Sequence, residues 1–158
     1  MSGASTDAVE VSTTLAVAPD LAFRLFTEEV DLWWKGGPRF RWYPERGGTL
    51  RFEPGVGGRF LEDYGDDAFE VGRVRVWEPA TRLVFDFRAR NFSPDQSTEV
   101  DVTFEAVGEG CRVTVVHSGW DAIAADHPAR HGMDAASFDA MMGLWWADLL
   151  NAARKRAA

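Results

Sequence analysis

The segment from Met133 to Arg156 constrains the fold most, because it is the longest amphipathic stretch of the chain. Its apolar residues recur at the spacing of an α-helix and predict one buried face. These residues are Phe138, Met141, Met142, Trp145, Leu149 and Ala152. Arg154, Lys155 and Arg156 close the segment, where the helix dipole favours cations. A helix this rich in aromatic residues and methionine requires a large apolar surface opposite it.

Composition bounds the class of protein. A length of 158 residues with 46% hydrophobic residues predicts one domain, residues 9–156, after a flexible N-terminus of residues 1–8. The net charge of −8 argues against a nucleic-acid partner. Cys111 is the single cysteine, which excludes an intrachain disulfide. No signal peptide and no apolar run of membrane-spanning length is visible, so we expect a cytoplasmic protein without a membrane partner.

The segment between residues 9 and 118 alternates apolar and polar residues in several short runs. Val9 to Val17 reads as the first strand, and two short helices follow it after Pro19. Six further strands are predicted, beginning near residues 49, 59, 68, 83, 100 and 111. Short turns between them indicate an antiparallel meander with one buried face. The sequence therefore predicts an α+β helix-grip fold, a curved antiparallel sheet of about seven strands wrapped around the C-terminal helix. The sequence does not decide which face of Ala68 to Glu78 points inward, because both faces mix apolar and polar residues.

Several local phrases occur in a familiar order along residues 9–155. They are Val17-Ala18-Pro19, Leu32-Trp33-Trp34, Gly57-Gly58-Arg59-Phe60 with Glu62, Arg82-Leu83-Val84-Phe85, Val100 to Phe104, and Thr114 to Trp120. In this order they resemble the START/Bet v I-like (SRPBCC) superfamily, and most closely its branch similar to the activator of heat-shock-protein-90 ATPase homologues. The resemblance implies a largely apolar cavity between sheet and helix. It also implies varied functions, from lipid and hormone binding to aromatase/cyclase activity and chaperone activation.

The ligand-binding candidates are apolar and aromatic residues on the predicted inner faces, joined by one histidine. They are Trp33, Trp34, Phe40, Trp42, Phe60, Phe85, Phe87, Val102, His117, Trp120, Phe138, Met141, Met142 and Trp145. Aromatic residues in such positions form either a pocket wall or a packed core, and the sequence leaves both uses open.

The catalytic candidates are His117, Glu62 and Glu70. If these side chains converge in the cavity, they would form an acid–base cluster. The alternative is a core histidine satisfied by a backbone carbonyl, with at least one glutamate meeting Arg59, Arg73 or solvent. His127 and His131 lack a third ligand at a fixed spacing, so the sequence predicts no metal and no cofactor.

Three functions follow as hypotheses. The favoured one is a module that binds a small apolar or aromatic ligand, and it predicts a continuous aromatic-lined pocket. A cyclase, dehydratase or hydrolase predicts titratable groups that converge on one point. A protein-interaction domain of the chaperone-activator kind predicts a filled interior and an exposed apolar patch. A homodimer is compatible with each, and no sequence signal specifies one.

Overall fold

The computed structural model describes residues 8–124 and 126–158. Seven strands, three α-helices and three short 3-10 turns make up the described chain. In order they are β1 (Val9–Leu15), α1 (Pro19–Glu28), α2 (Val30–Trp33), a turn at Pro44–Arg46, β2 (Thr49–Phe52), β3 (Arg59–Asp63), β4 (Ala68–Glu78), β5 (Arg82–Phe87), β6 (Thr98–Val107), β7 (Gly110–Ser118), turns at Trp120–Ala122 and Pro128–Arg130, and α3 (Ala135–Arg156). Apart from residue 8, the N-terminal segment predicted to be flexible lies outside the described residues.

The seven strands form one antiparallel sheet with the order β1-β7-β6-β5-β4-β3-β2. The first strand crosses to pair with the last, and the remaining strands follow one another as a meander. The sheet curls into a half-barrel, and α3 packs against β1 and α2. This architecture confirms the α+β helix-grip prediction, including the two short helices after β1.

Strand β4 explains why its inward face could not be read from the sequence. Its core-facing residues are Phe69, Val71, Val74 and Trp77, at spacings of two and then three residues. Register shifts interrupt its pairing with β3 between Phe60 and Leu61 of β3 and its pairing with β5 between Val74 and Val76 of β4. Each β-bulge adds one residue to a strand and reverses the alternation beyond it.

Helix α3 begins two residues later than predicted, because Asp134 caps it. The carboxylate oxygen Oδ1 of Asp134 accepts a hydrogen bond from the backbone N–H of Ser137 at 2.7 Å. The buried face is also rotated relative to the prediction, with Met141, Trp145 and Ala152 at its edges. Its buried residues are Phe138, Met142, Trp146, Leu149, Leu150 and Ala153. Periodicity alone could not choose between adjacent apolar residues, and contacts with the sheet decide the rotation.

Candidate functional site

The segment from Trp34 to Glu45 leaves α2 and forms a wall at one end of the fold. Gly37 adopts a φ of +92°, which favours glycine, and its carbonyl oxygen accepts from the backbone N–H groups of Phe40 and Arg41 at 3.1 and 2.9 Å. The indole Nε1–H of Trp34 donates to the carbonyl oxygen of Phe40 at 2.8 Å. These bonds fix an irregular segment that carries four aromatic side chains, Trp34, Phe40, Trp42 and Tyr43.

Glu62 of β3 holds the C-terminal part of this segment. Its side chain is 1% exposed, and its carboxylate accepts from the backbone N–H groups of Trp42 at 3.0 Å and Tyr43 at 2.7 Å. The hydroxyl of Tyr64 donates to the same carboxylate at 2.7 Å. Burial, assisted by the bond to Glu62, raises the pKa of Tyr64, so this hydroxyl remains a donor. Glu62 is therefore a positioning residue for Trp42 and Tyr43.

A cleft of about 820 Å³ opens beside this segment, between it, the end of β5, the turn at Pro128–Arg130 and the first half of α3. Its lining combines aromatic and aliphatic side chains with a few polar ones. The lining residues are Pro38, Phe40, Trp42, Tyr43, Pro44, Phe87, Ala89, Trp120, Pro128, Ala129, Met141, Met142 and Trp145, with Arg39, Arg41, Glu45, Arg90, Asn91 and His131. A volume in this range suits a small-molecule ligand.

Ring contacts give the cleft rigid walls. Phe40 stacks on Trp145 with ring centroids 5.7 Å apart, and the indole Nε1–H of Trp145 donates to the carbonyl oxygen of Arg39 at 2.6 Å. Phe87 meets Trp42 at 5.5 Å and Trp145 at 6.0 Å. The indole Nε1–H of Trp42 in turn donates to the carbonyl oxygen of Arg88 at 2.8 Å. The hydrogen bond from each indole N–H thus fixes the orientation of its ring.

The predicted ligand-binding residues divide into two groups of seven. Seven line the cleft, namely Phe40, Trp42, Phe87, Trp120, Met141, Met142 and Trp145. The other seven are buried in the core behind it, namely Trp33, Trp34, Phe60, Phe85, Val102, His117 and Phe138. The structure therefore places half of the candidates in the lining of one cleft. Five of these side chains are themselves largely buried, namely Phe40, Trp42, Phe87, Trp120 and Met142.

His117 lies in the second group, fully buried between sheet and helix. Its Nδ1 accepts from the indole Nε1–H of Trp146 at 3.0 Å, because an indole nitrogen only donates. The neutral imidazole then carries its proton on Nε2 and donates to the Thr98 hydroxyl at 2.7 Å. That hydroxyl donates to the carbonyl oxygen of Phe87 at 2.9 Å. Burial lowers the pKa of His117 to about 3, so the ring is neutral near pH 7 and both of its nitrogens are engaged.

The three catalytic candidates have separate partners. Glu70 lies on β4, where its carboxylate forms an ion pair with Arg73 at 3.1 Å. Glu62 binds backbone groups of the wall segment, and His117 binds Trp146 and Thr98. No hydrogen bond or ion pair joins any two of the three in the part of the chain that the structure describes. The arrangement suits positioning and packing rather than acid–base chemistry at one point.

Some cleft residues were not among the sequence candidates. Tyr43, Arg90, Asn91, Ala129 and His131 lie on irregular segments, where no periodicity identifies an inward face. A weak signal was present in the alternation of arginine and aromatic residues from Arg39 to Tyr43. Such a pattern is typical of a polar rim over an apolar floor, but only the fold brings it opposite Arg90.

Among residues 8–124 and 126–158, no group of three or more His, Cys, Asp or Glu side chains is placed to hold a metal ion. No described helix is both long and apolar enough to cross a membrane.

Solved structures with the same fold include proteins of varied description. DynU16, a protein in the dynemicin biosynthetic locus, matches with a TM-score of 0.64 and 22% identity over 94% of this chain, which spans 46% of DynU16. The Aha1 dimer from Colwellia psychrerythraea matches with a TM-score of 0.63 and 15% identity over 95% of both chains. An Hsp90 activator from Plasmodium falciparum matches with a TM-score of 0.53 and 20% identity over 71% of this chain and 72% of its own. These identities establish a shared fold and nothing finer.

Sequence comparison is more specific. No curated protein matches the chain significantly. The family profile described as activator of Hsp90 ATPase homolog 1-like protein matches residues 16–143, which run from just after β1 into the first half of α3. This confirms the resemblance inferred from the sequence. The chain belongs to the activator of Hsp90 ATPase homolog 1-like (AHSA1) family.

Proposed function

We propose that this protein binds a small apolar or aromatic ligand in the cleft formed by the wall segment, the end of β5 and α3. The observation that carries the proposal is the cleft itself, about 820 Å³ in volume and lined by rings held in fixed orientations. Preorganised rings bind a flat ligand without losing side-chain entropy on binding. We expect the ligand to lie against Trp145 and Phe87. We also expect the protein to bind it in the cytoplasm.

The candidate residues for catalysis support binding over an enzymatic role. A cyclase, dehydratase or hydrolase needs an acid and a base that reach one substrate atom. Glu62, Glu70 and His117 each bind a different set of neighbours, and His117 is shut away from the cleft behind Phe87. The enzymatic alternative therefore has no geometric support in these three residues.

The binding proposal is tested by titrating the protein with N-phenyl-1-naphthylamine, an uncharged dye that fluoresces in apolar sites. We expect one saturable site and a weakening of at least fivefold in Trp145→Ala, because one wall is lost. Leu144→Ala is the matched control, since this neighbouring side chain is 69% exposed and outside the cleft lining. Equal affinities in the wild type and both variants, or no saturable site, would reject the proposal. Native mass spectrometry of the protein from its own host would then identify a retained ligand.

A chaperone-activating role is the second candidate, because the family profile and the Plasmodium falciparum structure both carry that description. The cluster of buried apolar side chains between sheet and α3 is compatible with it. The test is the ATPase rate of the host's own Hsp90 homologue with and without the protein. Stimulation that survives Trp145→Ala would favour this role over ligand binding, and an unchanged rate would reject it.

A further inference from the structure

The charges around the cleft differ in sign from those of the whole chain. The net charge is −8, yet the charged residues in the described lining are Arg39, Arg41, Arg90 and Glu45, with His131 also present. Two further arginines are adjacent to the lining, Arg88 between Phe87 and Ala89, and Arg130 between Ala129 and His131. A local excess of positive charge in an acidic protein favours an anionic group at this place.

Two of the lining arginines already have carboxylate partners. Arg41 binds Asp31 at 2.8 Å and donates to backbone carbonyl oxygens of Lys35 and Trp34 at 3.1 and 2.8 Å. Arg39 lies 3.6 Å from Asp148 in an exposed pair. Their charges are therefore at least partly compensated within the protein.

Arg90 is different. Its guanidinium lies 4.1 Å from the ring centroid of Tyr43, and its one hydrogen bond is a long one of 3.4 Å to the carbonyl oxygen of Trp42. Within the described part of the chain it forms no salt bridge. The stacking on Tyr43 holds the guanidinium plane at the rim and leaves donors for an anion, for which this planar fork is well suited.

Buried donors without acceptors accumulate at the same end of the molecule. Among the described residues, the buried side-chain nitrogens lacking a hydrogen-bond partner are Nε of Arg88, Nε1 of Trp120 and Nε of Arg130. Trp120 lines the cleft, and the two arginines are next to lining residues in the chain. All three are N–H donors, so this region has a deficit of acceptors rather than of donors. Unpaired buried donors are costly, and an acceptor-rich ligand complements them.

We propose that the ligand of the cleft is an amphipathic anion, a flat apolar molecule with a carboxylate or similar acidic group, which binds with that group beside Arg90. This proposal rests on the proposed binding function and narrows its ligand class. The apolar body lies against Trp145 and Phe87, and the acidic group pairs with the guanidinium at the rim. The carboxylate of Glu45, which also belongs to the lining, repels an anion and limits the preference of the cleft for anionic ligands.

The test uses two dyes with the same N-phenylnaphthylamine skeleton. One is 1-anilinonaphthalene-8-sulfonate, which carries a sulfonate, and the other is uncharged N-phenyl-1-naphthylamine. The observable is the ratio of the Kd of the uncharged dye to the Kd of the sulfonate, measured for each variant. This ratio cancels the shared apolar contacts and any loss of affinity that both dyes share.

We expect Arg90→Gln to lower the ratio by roughly fivefold, the effect of one unit charge at about 4 Å in water. Arg90→Lys keeps the charge and is expected to retain most of the ratio. Arg24→Gln is the matched control, because it removes one arginine from the exposed surface of α1 and changes the net charge equally. The ratio in the wild type should also fall as salt increases.

The outcomes separate this inference from the proposed function. If neither dye saturates one site in the wild type, the binding function fails and this inference fails with it. If both dyes bind but Arg90→Gln leaves the ratio unchanged, or Arg24→Gln lowers it equally, the anionic ligand class is rejected and the binding function stands.

Discussion

Trp145 and Trp146 are neighbours in the chain, and their rings are in edge contact with centroids 5.2 Å apart, but their surroundings differ. Trp146 is 0% exposed and donates its indole N–H to His117 inside the grip. Trp145 is half-buried, stacks on Phe40 and donates its indole N–H to a loop carbonyl oxygen at the cleft. Trp146 belongs to the buried interior between sheet and α3. Trp145 belongs to the mouth, which is the open end of the fold where the cleft lies.

The interior satisfies its polar groups internally. Trp146, His117, Thr98 and the carbonyl oxygen of Phe87 form a chain in which each donor has an acceptor. At the cleft, by contrast, the indole N–H of Trp120 finds no acceptor among the described residues, and neither does the Nε–H of Arg88 or of Arg130, which are next to lining residues in the chain. A closed network stabilises one packing arrangement, whereas unpaired donors beside a cleft favour a ligand that supplies acceptors. This difference supports the proposal that the cleft, rather than the interior, binds a ligand.

The largest expected effect is that of Trp146→Ala on stability. The substitution leaves a large cavity and removes the donor to Nδ1 of His117, so the free energy of unfolding should fall by about 3–5 kcal/mol. Urea unfolding followed by circular dichroism measures it. Trp146→Phe keeps most of the volume and should lose less. A cost for Trp146→Ala below that of Trp145→Ala would overturn the division between interior and mouth.

Glu62→Gln is expected to affect the cleft indirectly, through the backbone that carries Trp42 and Tyr43. The amide keeps one oxygen acceptor but presents a donor to a backbone N–H, so unfolding should become easier by about 2–3 kcal/mol. Dye affinity at the cleft should also weaken, since Trp42 and Tyr43 lose their anchor. Glu70→Gln is the matched control: its partner Arg73 is on the surface, and its cost should stay below about 1 kcal/mol. Equal costs for the two variants would contradict a positioning role for Glu62.

The sealed histidine predicts a pH dependence of stability. The pKa of His117 is lowered to about 3 in the folded state, whereas an unfolded histidine titrates near pH 6.5. The unfolded state therefore binds the proton first, and stability decreases as the pH falls through 6.5 towards 3. Between pH 6.5 and 5, His117 should account for about 2 kcal/mol of that loss. His117→Gln should remove this component, and identical slopes in the two proteins would show that His117 is not sealed.

Apart from the surface control Glu70→Gln, the smallest expected stability effect is that of Trp145→Ala. Its ring contacts are aromatic pairs at the edge of the cleft, and the cost should be about 1–2 kcal/mol because solvent already reaches the side chain. The variant should instead lose affinity for the naphthylamine dye. Thermal unfolding and dye titration on the same sample sharpen the comparison. A large loss of stability with unchanged dye affinity would place Trp145 with the interior.

Periodicity located the main elements because burial of one face imposes it locally. The seven strands, the two short helices and the terminal helix were all predictable from alternation, helical spacing and turn residues. The inward face of β4 was not, because two bulges break its alternation. The start of α3 was predicted two residues too early, because Asp134 was not recognised as its N-cap residue.

The candidate site was only partly predictable, for a related reason. Aromatic residues could be listed, but the sequence did not separate those that line the cleft from those packed behind it. Glu62 was identified as a catalytic candidate, yet its partners are backbone N–H groups of a segment 19 and 20 residues away. Contacts of this kind depend on how the loops pack over the sheet, so no local sequence pattern predicts them.

By itself the sequence determined the helix-grip architecture and the AHSA1 resemblance, because both follow from hydrophobic patterns and phrases that are local in the chain. Only the tertiary structure decided that His117 is a neutral packing residue, that Trp145 and not Trp146 faces the cleft, and that Arg90 stacks on Tyr43 at its rim. The physical reason is that burial, hydrogen-bond pairing and local charge are properties of neighbours in space, and α3 and the loops meet the sheet across long separations in sequence.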